Sequence, residues 1–377
     1  MSGLIPNEIR PIFFGANLLA LTKKDGGLRP IAVGDTLRRL TAKCALDLIR
    51  NRLFDLVGPQ QYGISIKNGA EIIVHAASEY VGAMPPTQVF VKLDFRNSFN
   101  SIRRDRFLTI AADKVPELYP FINSCYEQTT LLSYDEHTLF SAEGAQQGDP
   151  LSGLLFSLVL RSLTDDLRSS FNAWYLDDGS LGDEWDVVVD DLRSLIPRCE
   201  KVGLHLNPEK CEIINDALTP EVLNSFQQLL PGIKVTQLNQ LKLLGAPIGE
   251  QATQETLLTK KAELQRMCTI LNFMGSHEAL YLLRHALFIP KLLYILRTSH
   301  SYRLNDILVE YDKSIQAALS TVLNINFDDM AWLQAIGLLY LKDLEDWEYG
   351  CRQSSLLPLS SPQGMLPLSN RGLFNLC

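Results

Sequence analysis

Three aspartates in this 377-residue chain stand where a carboxylate is costly unless something binds it. Asp94 comes near the end of the apolar segment 89–95, while Asp177 and Asp178 are adjacent in segment 174–181. A charge at the end of an apolar strand costs free energy unless it is paired, and two neighbouring carboxylates repel each other. Taken separately, Asp94 also fits a strand-end cap, and Asp177–Gly179 also fits a plain turn. Taken together, they form a candidate cation site.

The chemistry that such a site favours is phosphoryl transfer. The reaction needs positioning, and it needs neutralisation of the charge that spreads over the phosphate oxygens. Two divalent ions about 4 Å apart can supply this by holding the attacking and leaving oxygens. Since Mg²⁺ prefers hard oxygen ligands and keeps several waters, two or three carboxylates suffice. We therefore expect two Mg²⁺ ions as cofactors, with Mn²⁺ as a substitute.

The elements around these aspartates follow from the alternation of side chains. In segment 89–95, Val91 and Leu93 share one face with Phe95, while Lys92 and Asp94 point the other way, which predicts a strand. Residues 171–181 are typical of a tight hairpin with Asp177–Gly179 at its turn.

The rest of the chain mixes strands and helices. Strands are predicted at 12–24 and 28–33, around a turn at 25–27. Helices are predicted at 36–56, after Asn100, from Asp149–Pro150 onward, and over 188–202 with a kink or stop at Pro197. Two or three amphipathic helices follow between about 255 and 323. This order favours an α+β fold with a ferredoxin-like arrangement over a doubly wound parallel sheet.

Composition indicates an ordinary globular protein, with 46% hydrophobic and 21% charged residues. Seven scattered cysteines suggest neither a zinc site nor a disulfide framework, so we expect an intracellular location, nuclear or cytoplasmic. Residues 1–11 lack the apolar core of a secretory signal. Segment 279–296 carries Arg284 and Lys291, which predicts a buried helix and no membrane association.

The charge is unevenly distributed along the chain. The net charge of −8 argues mildly against nucleic-acid binding. However, residues 21–52 hold eight basic and three acidic side chains, and residues 177–191 hold seven acidic side chains and no basic one. A basic arm opposite an acidic cluster fits a site for polyphosphate and metal, although solvated charged faces would give the same pattern.

Six segments, in order along the chain, resemble the motifs of reverse transcriptases of the non-LTR retrotransposon and group II intron branch. They are KKDGGLRPIAV (23–33), VKLDFRNSFN (91–100, motif A), AQQGDPLSGLLFSLVL (145–160, motif B), WYLDDGSL (174–181, motif C), GLHLNPEKCEI (203–213, motif D) and LKLLGAPIG (241–249, motif E). Ser98, Gly153 and Leu176 stand where this family commonly has Ala, Pro and Ala, and none of these changes removes a carboxylate.

The resemblance implies a role for each matched position. Asp94 and Asp177 would be the principal metal ligands, Asp178 a weaker one, and the Phe95 carbonyl would also reach a metal. Phe99 falls at the family's aromatic gate against the ribose 2′-OH, although its alternative is a core aromatic. The other implied contacts are Gln147 and Gly148 with the incoming nucleotide and templating base, Lys23, Lys24 and Arg29 with the triphosphate, Lys210 as proton donor or phosphate contact, and Leu244 and Gly245 in the primer grip.

The resemblance also implies a right-hand polymerase. Fingers would span 1–88, a ferredoxin-like palm 89–250 and a helical thumb-like segment 251–330, with a partly disordered tail at 331–377. The expected partners are an RNA template, a DNA or RNA primer and dNTPs. Because no endonuclease motif or Cys/His knuckle is present, we expect a fragment or a reduced relative of a mobile element.

Two other functions remain open at this stage. An RNA-dependent RNA polymerase uses a similar palm, although Phe99 speaks against it because recognition of a 2′-OH usually requires a polar residue. A degenerate remnant that binds nucleic acid without polymerising is also consistent with the acidic pI of about 5.4. The intact Asp94, Asp177 and Asp178 oppose that reading.

Overall fold

The computed structural model describes residues 5–6, 8–22, 26–328, 330–332 and 334 of the chain. One compact unit spans Met1–Ile325, and a second spans Asn326–Cys377. The tail predicted to be disordered, 331–377, lies outside the described residues except for 331, 332 and 334. Within the described part, no helix combines the length and the apolar character that crossing a bilayer requires.

A five-stranded sheet forms the centre of the first unit, with strand order β6-β7-β3-β8-β9. Its strands are β3 (Gln88–Leu93), β6 (Phe171–Tyr175), β7 (Asp178–Glu184), β8 (Glu212–Ile214) and β9 (Lys234–Thr236). Strand β3 pairs antiparallel with β7 and β8, as β6 does with β7, while β8 and β9 run parallel. The strand predicted at 89–95 and the hairpin predicted at 171–181 are both confirmed.

A second sheet has four strands in the order β2-β1-β4-β5. They are β1 (Ala16–Thr22), β2 (Leu28–Gly34), β4 (Thr130–Tyr134) and β5 (His137–Ser141). The predicted hairpin of β1 and β2 is confirmed, with Ala16 opposite Gly34 and Thr22 opposite Leu28. Its predicted start at residue 12 is wrong. Pro11, which suits the first turn of a helix, lies in the short helix Arg10–Phe13.

A two-stranded ladder and fourteen α-helices complete the described part of the chain. The ladder joins β10 (Lys242–Leu243) to β11 (Ala246–Pro247). The helices are α1 (Arg10–Phe13), α2 (Thr36–Leu48), α3 (Leu53–Val57), α4 (Gly69–Ala83), α5 (Ser98–Ser101), α6 (Arg104–Lys114), α7 (Tyr119–Tyr126), α8 (Ser152–Thr164), α9 (Trp185–Lys201), α10 (Pro220–Leu229), α11 (Glu250–Leu271), α12 (Ser276–Leu282), α13 (Leu293–Thr298) and α14 (Asn305–Leu323). Shorter 3-10 turns occupy Arg50–Arg52, Leu238–Gln240, Ile289–Lys291 and Ser301–Leu304, and a π-helical turn occupies Leu283–Leu287.

Several helix boundaries differ from the predictions. Helix α9 continues through Pro197, whose exposed position lets water reach the carbonyl that loses its partner. Helix α8 begins at Ser152 because Asp149 holds a tight turn, accepting a hydrogen bond from the backbone N–H of Leu151 at 3.0 Å. The continuous helix predicted at 279–296 is wrong. Pro290, which has no N–H, lies between α12 and α13.

The central sheet carries an apolar core on each face. Val91 and Leu93 belong to the larger core, which also includes residues of α6, α8 and α9. Phe90 faces the smaller core, with Ile73 and Val74 of α4. Burying each such side chain stabilises the fold by about 2 kcal/mol. The predicted alternation is therefore confirmed, and the predicted α+β class with it.

Candidate active site

The register of the central sheet brings Asp94 to the hairpin that carries Asp177 and Asp178. Strand β3 runs antiparallel to β7, and its last pair joins Leu93 to Gly179. Asp94 is the next residue along the chain, so it lies beside Asp178, which precedes Gly179 on the other strand. The carbonyl of Asp94 accepts a hydrogen bond from the N–H of Asn207 at 2.7 Å, which fixes the end of β3.

The hairpin tip differs from the turn that was predicted. Tyr175 pairs with Asp178, so the two turn residues are Leu176 and Asp177, and Leu176 has a left-handed φ of 54°. The predicted turn at Asp177–Gly179 is therefore displaced by one residue. The tip is held by Gln61, a buried side chain whose Oε1 accepts from the N–H of Leu176 at 2.7 Å.

Gly179 lies within β7 and serves packing rather than the turn. A Cβ at this position would lie 2.4 Å from a ring carbon of Trp174. The Trp174 side chain is fully buried and stacks on Phe95, with ring centroids 6.0 Å apart. Glycine is needed here because the indole ring crosses directly over the strand.

Asp178 experiences the charges of both other aspartates. Burial by the surrounding protein, followed by the charges of Asp177 and Asp94, raises the pKa of Asp178 from 3.8 to about 6. Lys92 and Arg29 oppose this rise. The Asp178 side chain remains open to solvent through a recess.

This repulsion predicts the effect of Asp178→Asn on stability. Between the ordinary pKa of aspartate and about 6, the folded chain keeps a proton that the unfolded chain has lost, so stability falls as pH rises through that range. Asparagine cannot ionise. We therefore expect Asp178→Asn to raise the melting temperature near neutral pH in metal-free buffer, and not below the ordinary pKa of aspartate.

Thermal unfolding at the two pH values, in a chelator, would measure this difference. Asp166→Asn is a suitable control because the Asp166 side chain is 81% exposed and precedes β6, at the end of the hairpin away from the tip. If Asp178→Asn raised the melting temperature equally at both pH values, ionisation of Asp178 would not be the cause of the destabilisation.

Asp177 is held by a residue of motif A. The hydroxyl of Ser98, a buried side chain in α5, donates to Oδ2 of Asp177 at 2.6 Å. This bond joins the segment that follows Asp94 to the hairpin tip. Ser98 is one of the departures noted in the sequence, and alanine at this position could not make the bond.

The carboxylates suit divalent cations in their chemistry. Among the described residues, no three His, Cys, Asp or Glu side chains already form a group that could hold a metal ion. Ser98 holds one oxygen of Asp177, so that carboxylate is directed in part towards α5. The donors are nevertheless hard oxygens, and the mutual repulsion felt at Asp178 is a strain that a divalent cation would relieve. The residues therefore fit a divalent cation.

A recess of about 490 Å³ opens beside Asp94 and Asp178. Its lining includes four lysines and the turn between β10 and β11, namely Lys92, Lys210, Lys234, Lys242, Leu244 and Gly245. Lys92 is paired with Glu212 at 2.7 Å. A recess lined by both carboxylates and lysines can accept a phosphate ester together with cations. The predicted residues Lys210, Leu244 and Gly245 are thus brought to Asp94.

The predicted triphosphate contacts divide into two groups. Lys23 and Lys24 lie outside the described residues. Arg29 is an exposed residue of β2, opposite Leu21, and its charge is felt at Asp178. The structure therefore brings Arg29 towards the aspartates, while the roles of all three residues stay predictions.

Phe99 lies next to the aspartates but packs partly into the core. Its ring stacks on Phe156, with centroids 4.8 Å apart and planes inclined by 29°. The side chain is half-buried, so one part of it reaches the surface of α5. Phe99 therefore packs as a core aromatic, which was the alternative to the gate. Its role as a gate stays a prediction.

Gln147 and Gly148 lie on a loop that touches β2. The carbonyl of Gln147 accepts from the N–H of Ala32 at 2.7 Å. Gly148 has a φ of 118°, and a Cβ there would lie 2.7 Å from the Ala32 carbonyl oxygen, so this close approach requires glycine. Both residues are partly or fully exposed, which leaves them accessible to a ligand.

Sequence reasoning assigned no role to several residues that organise the site. Lys92, two residues before Asp94, was placed on the same strand face, so alternation already indicated its nearness. Lys234 and Lys242 reach the recess only through the pairing of β9 and the fold of β10. Gln61 is 115 residues from the tip it holds, and no pattern in the sequence signals that contact.

Comparison with known proteins gives one family match. The family model described as reverse transcriptase (RNA-dependent DNA polymerase) matches residues 21–248. No curated protein matches this chain in sequence.

Solved structures show weaker likenesses. A C-terminally truncated apo telomerase from Candida tropicalis is 16% identical, with 56% of this chain and 52% of that chain covered and a TM-score of 0.42. A telomerase from Candida albicans, in complex with a fragment of telomeric RNA, is 13% identical, with 94% and 66% covered and a TM-score of 0.46. An RNA-dependent RNA polymerase of a human picobirnavirus is 14% identical, with 53% and 42% covered and a TM-score of 0.38. The chain thus spans about half to two thirds of the telomerase chains.

Proposed function

The chain belongs to the reverse transcriptase family, and from that premise we propose that it is an RNA-directed DNA polymerase. It would extend a DNA or RNA primer at its 3′-OH with dNTPs along an RNA template. The observation that carries this proposal is the β3–β7 register, which sets Asp94 beside the hairpin residues Asp177 and Asp178.

Asp94, Asp177 and Asp178, with the Phe95 carbonyl, would hold two Mg²⁺ ions. When bound, these ions supply neutralisation of the phosphate charge and activation of the primer 3′-OH. The chain's own part is to bring Asp94 to the hairpin that carries Asp177 and Asp178. Gln61 fixes the hairpin tip, and Ser98 orients Asp177. When no cation is bound, burial and the charges of the two neighbouring aspartates raise the pKa of Asp178.

Basic residues around the recess would bind the phosphates. Arg29 approaches Asp178 from β2, and Lys210 lines the recess. Lys23 and Lys24 would act from the same β1–β2 hairpin on the triphosphate. Leu244 and Gly245, both with positive φ, form the turn that would hold the primer end.

The proposed branch of the family follows from the motifs. We place the chain in the non-LTR retrotransposon and group II intron branch on the segment AQQGDPLSGLLFSLVL at 145–160. The proposed fingers (1–88) and palm (89–250) share one sheet, and the proposed thumb spans 251–330. Residues 130–141, within the palm range, add two strands to the sheet of β1 and β2.

Primer extension on RNA and DNA templates tests the proposal. The wild-type chain should extend a primer with dNTPs and Mg²⁺, the Asp94→Asn/Asp177→Asn variant should not, and Asp166→Asn should match the wild type. A wild type inactive under every primer–template condition would identify a degenerate remnant. A clear preference for NTPs would identify an RNA polymerase and overturn the proposal.

Phe99→Ala is expected to admit NTPs. Removing the ring opens the ribose side of the site, so discrimination against NTPs should fall by roughly 10- to 100-fold. The measurement is kcat/KM for a dNTP and its matching NTP. Phe156→Leu is the control, because it disturbs the stacked pair while leaving the Phe99 ring in place. Full rejection of NTPs by Phe99→Ala would place the gate elsewhere.

A further inference from the structure

A buried arginine joins the β1–β2 region to the loop of Gln147 and Gly148. Arg38, on α2, is only 2% exposed. Its guanidinium donates to Asp149 Oδ2 at 2.5 Å, to Gln146 Oε1 at 2.8 Å and to the carbonyl of Phe14. Gln146 and Asp149 immediately flank Gln147 and Gly148, so one side chain holds both ends of that dipeptide.

Tyr126 also forms a hydrogen bond with Asp149. Its hydroxyl donates to Oδ2 of Asp149 at 2.6 Å. Burial, and next the Asp149 charge, raise the pKa of Tyr126, so the hydroxyl keeps the proton that it donates. The guanidinium carbon of Arg38 lies 5.6 Å from the Tyr126 ring centre.

Arg104 stabilises the preceding part of the same loop. Its guanidinium lies 5.5 Å from the Tyr126 ring centre and donates to the carbonyl of Gly144 at 3.0 Å. It also donates to the hydroxyl of Ser141 at 2.8 Å. Two arginines therefore meet at one tyrosine and hold the loop 141–149 from inside.

The loop in turn touches two parts of the proposed nucleotide site. The N–H of Ala145 donates to the carbonyl of Phe99 at 2.7 Å. The carbonyl of Gln147 accepts from Ala32 at 2.7 Å, in the strand that also carries Arg29. A shift of the loop would therefore change where Gln147 stands relative to both Phe99 and Arg29.

Stability alone does not account for a buried ion pair. Desolvating two charges offsets much of their attraction, and apolar residues of the same volume often stabilise a core at least as well. Directional hydrogen bonds, in contrast, fix a loop in one position, because the planar guanidinium offers several donors at set angles.

We propose that Arg38 and Asp149 are positioning residues that hold Gln147 and Gly148 in place for the incoming dNTP. They contact the loop and not the nucleotide. This inference rests on the proposed polymerase function. It implies that weakening the pair impairs binding of the dNTP far more than the chemical step.

Kinetics of Asp149→Asn test the inference. The substitution keeps the size of the side chain but removes the charge that two donors share. We expect KM for the dNTP to rise about tenfold or more, while kcat changes only about twofold. Tyr126→Phe removes one hydroxyl and keeps the ring, so it should disturb folding less than Asp149→Asn. We expect it to raise KM for the dNTP by a smaller factor.

A matched control separates positioning from general destabilisation. Asp191 is 4% exposed and accepts hydrogen bonds from the backbone N–H and hydroxyl of Ser169, at 2.8 and 2.6 Å. Asp191→Asn should lower the melting temperature as Asp149→Asn does and leave KM for the dNTP unchanged. Equal KM effects of the two substitutions, or none from Asp149→Asn and Tyr126→Phe, would overturn the inference.

Amide hydrogen exchange tests the positioning role separately from the proposed polymerase function. If the wild-type chain extends no primer, the polymerase proposal fails by itself. The amides of 144–149 should still exchange faster in Asp149→Asn than in Asp191→Asn. Unchanged protection of that loop would overturn the positioning role, whether or not the chain polymerises.

Discussion

Replacing Asp177 with asparagine is expected to lower the rate of primer extension by at least about a thousandfold while nucleic-acid binding stays nearly unchanged. The amide has almost the same shape, and its oxygen can still accept the hydrogen bond from Ser98. What it lacks is the negative charge that would hold a divalent cation. Template and primer would instead be bound mainly through phosphate contacts to basic residues, which this substitution leaves in place.

Two measurements check this result. Single-turnover extension gives the rate, and fluorescence anisotropy with a labelled primer–template gives the binding constant. Ser98→Ala is the matched control, since it removes the hydrogen bond and keeps the carboxylate, and we expect it to slow extension by only about tenfold. An Asp177→Asn chain that extends primers at the wild-type rate would refute the metal-binding role.

Gly179→Ala is expected to destabilise the fold by about 3 kcal/mol and to abolish primer extension as well. The added methyl would lie 2.4, 2.5 and 2.8 Å from three carbons of the Trp174 ring. That ring cannot move aside easily. It is fully buried, and its Nε1 donates to Asn172 at 2.8 Å. The strand must therefore shift, and Asp178, the preceding residue, would shift with it away from Asp94.

Urea unfolding and primer extension measure the two effects. Gly82→Ala makes the same chemical change on α4, where the methyl would meet nothing within 4 Å. Because alanine favours a helix over glycine, this control should stabilise the chain by about 0.5 kcal/mol. The Trp174→Phe/Gly179→Ala variant should recover part of the lost stability, since the smaller ring vacates the space. Additive losses in that variant would show that the clash is not the cause.

The sequence predicted the strand and hairpin that carry the candidate side chains better than it predicted their surroundings. Segment 89–95 alternates strictly, so the strand and the orientation of Asp94 could be read directly. The two adjacent acids at 177 and 178 indicated a hairpin with a special function. The turn itself was misplaced by one residue, because DG pairs usually form turns, whereas Gly179 is required here by Trp174.

Element boundaries near prolines were also difficult to predict from the sequence alone. Pro11 lies in the short helix Arg10–Phe13, which takes in the first two residues of the strand predicted at 12–24. Pro197 lies within α9, where a kink or stop was predicted. A sequence pattern states where an N–H is missing. Whether that loss matters depends on whether the freed carbonyl faces water or a buried neighbour, and the neighbour belongs to another part of the chain.

The amino-acid sequence by itself determined which residues are candidates for the site, namely three carboxylates, a set of basic side chains and an aromatic residue at position 99, each identified by local alternation or motif order. Only the tertiary structure decided which residues hold them there. Gln61 reaches the hairpin tip, Ser98 reaches Asp177, and Arg38 reaches Asp149 across 111 positions of sequence. Such contacts depend on strand register and helix packing, which bring distant residues together through the burial of apolar surface, and no short-range pattern records them.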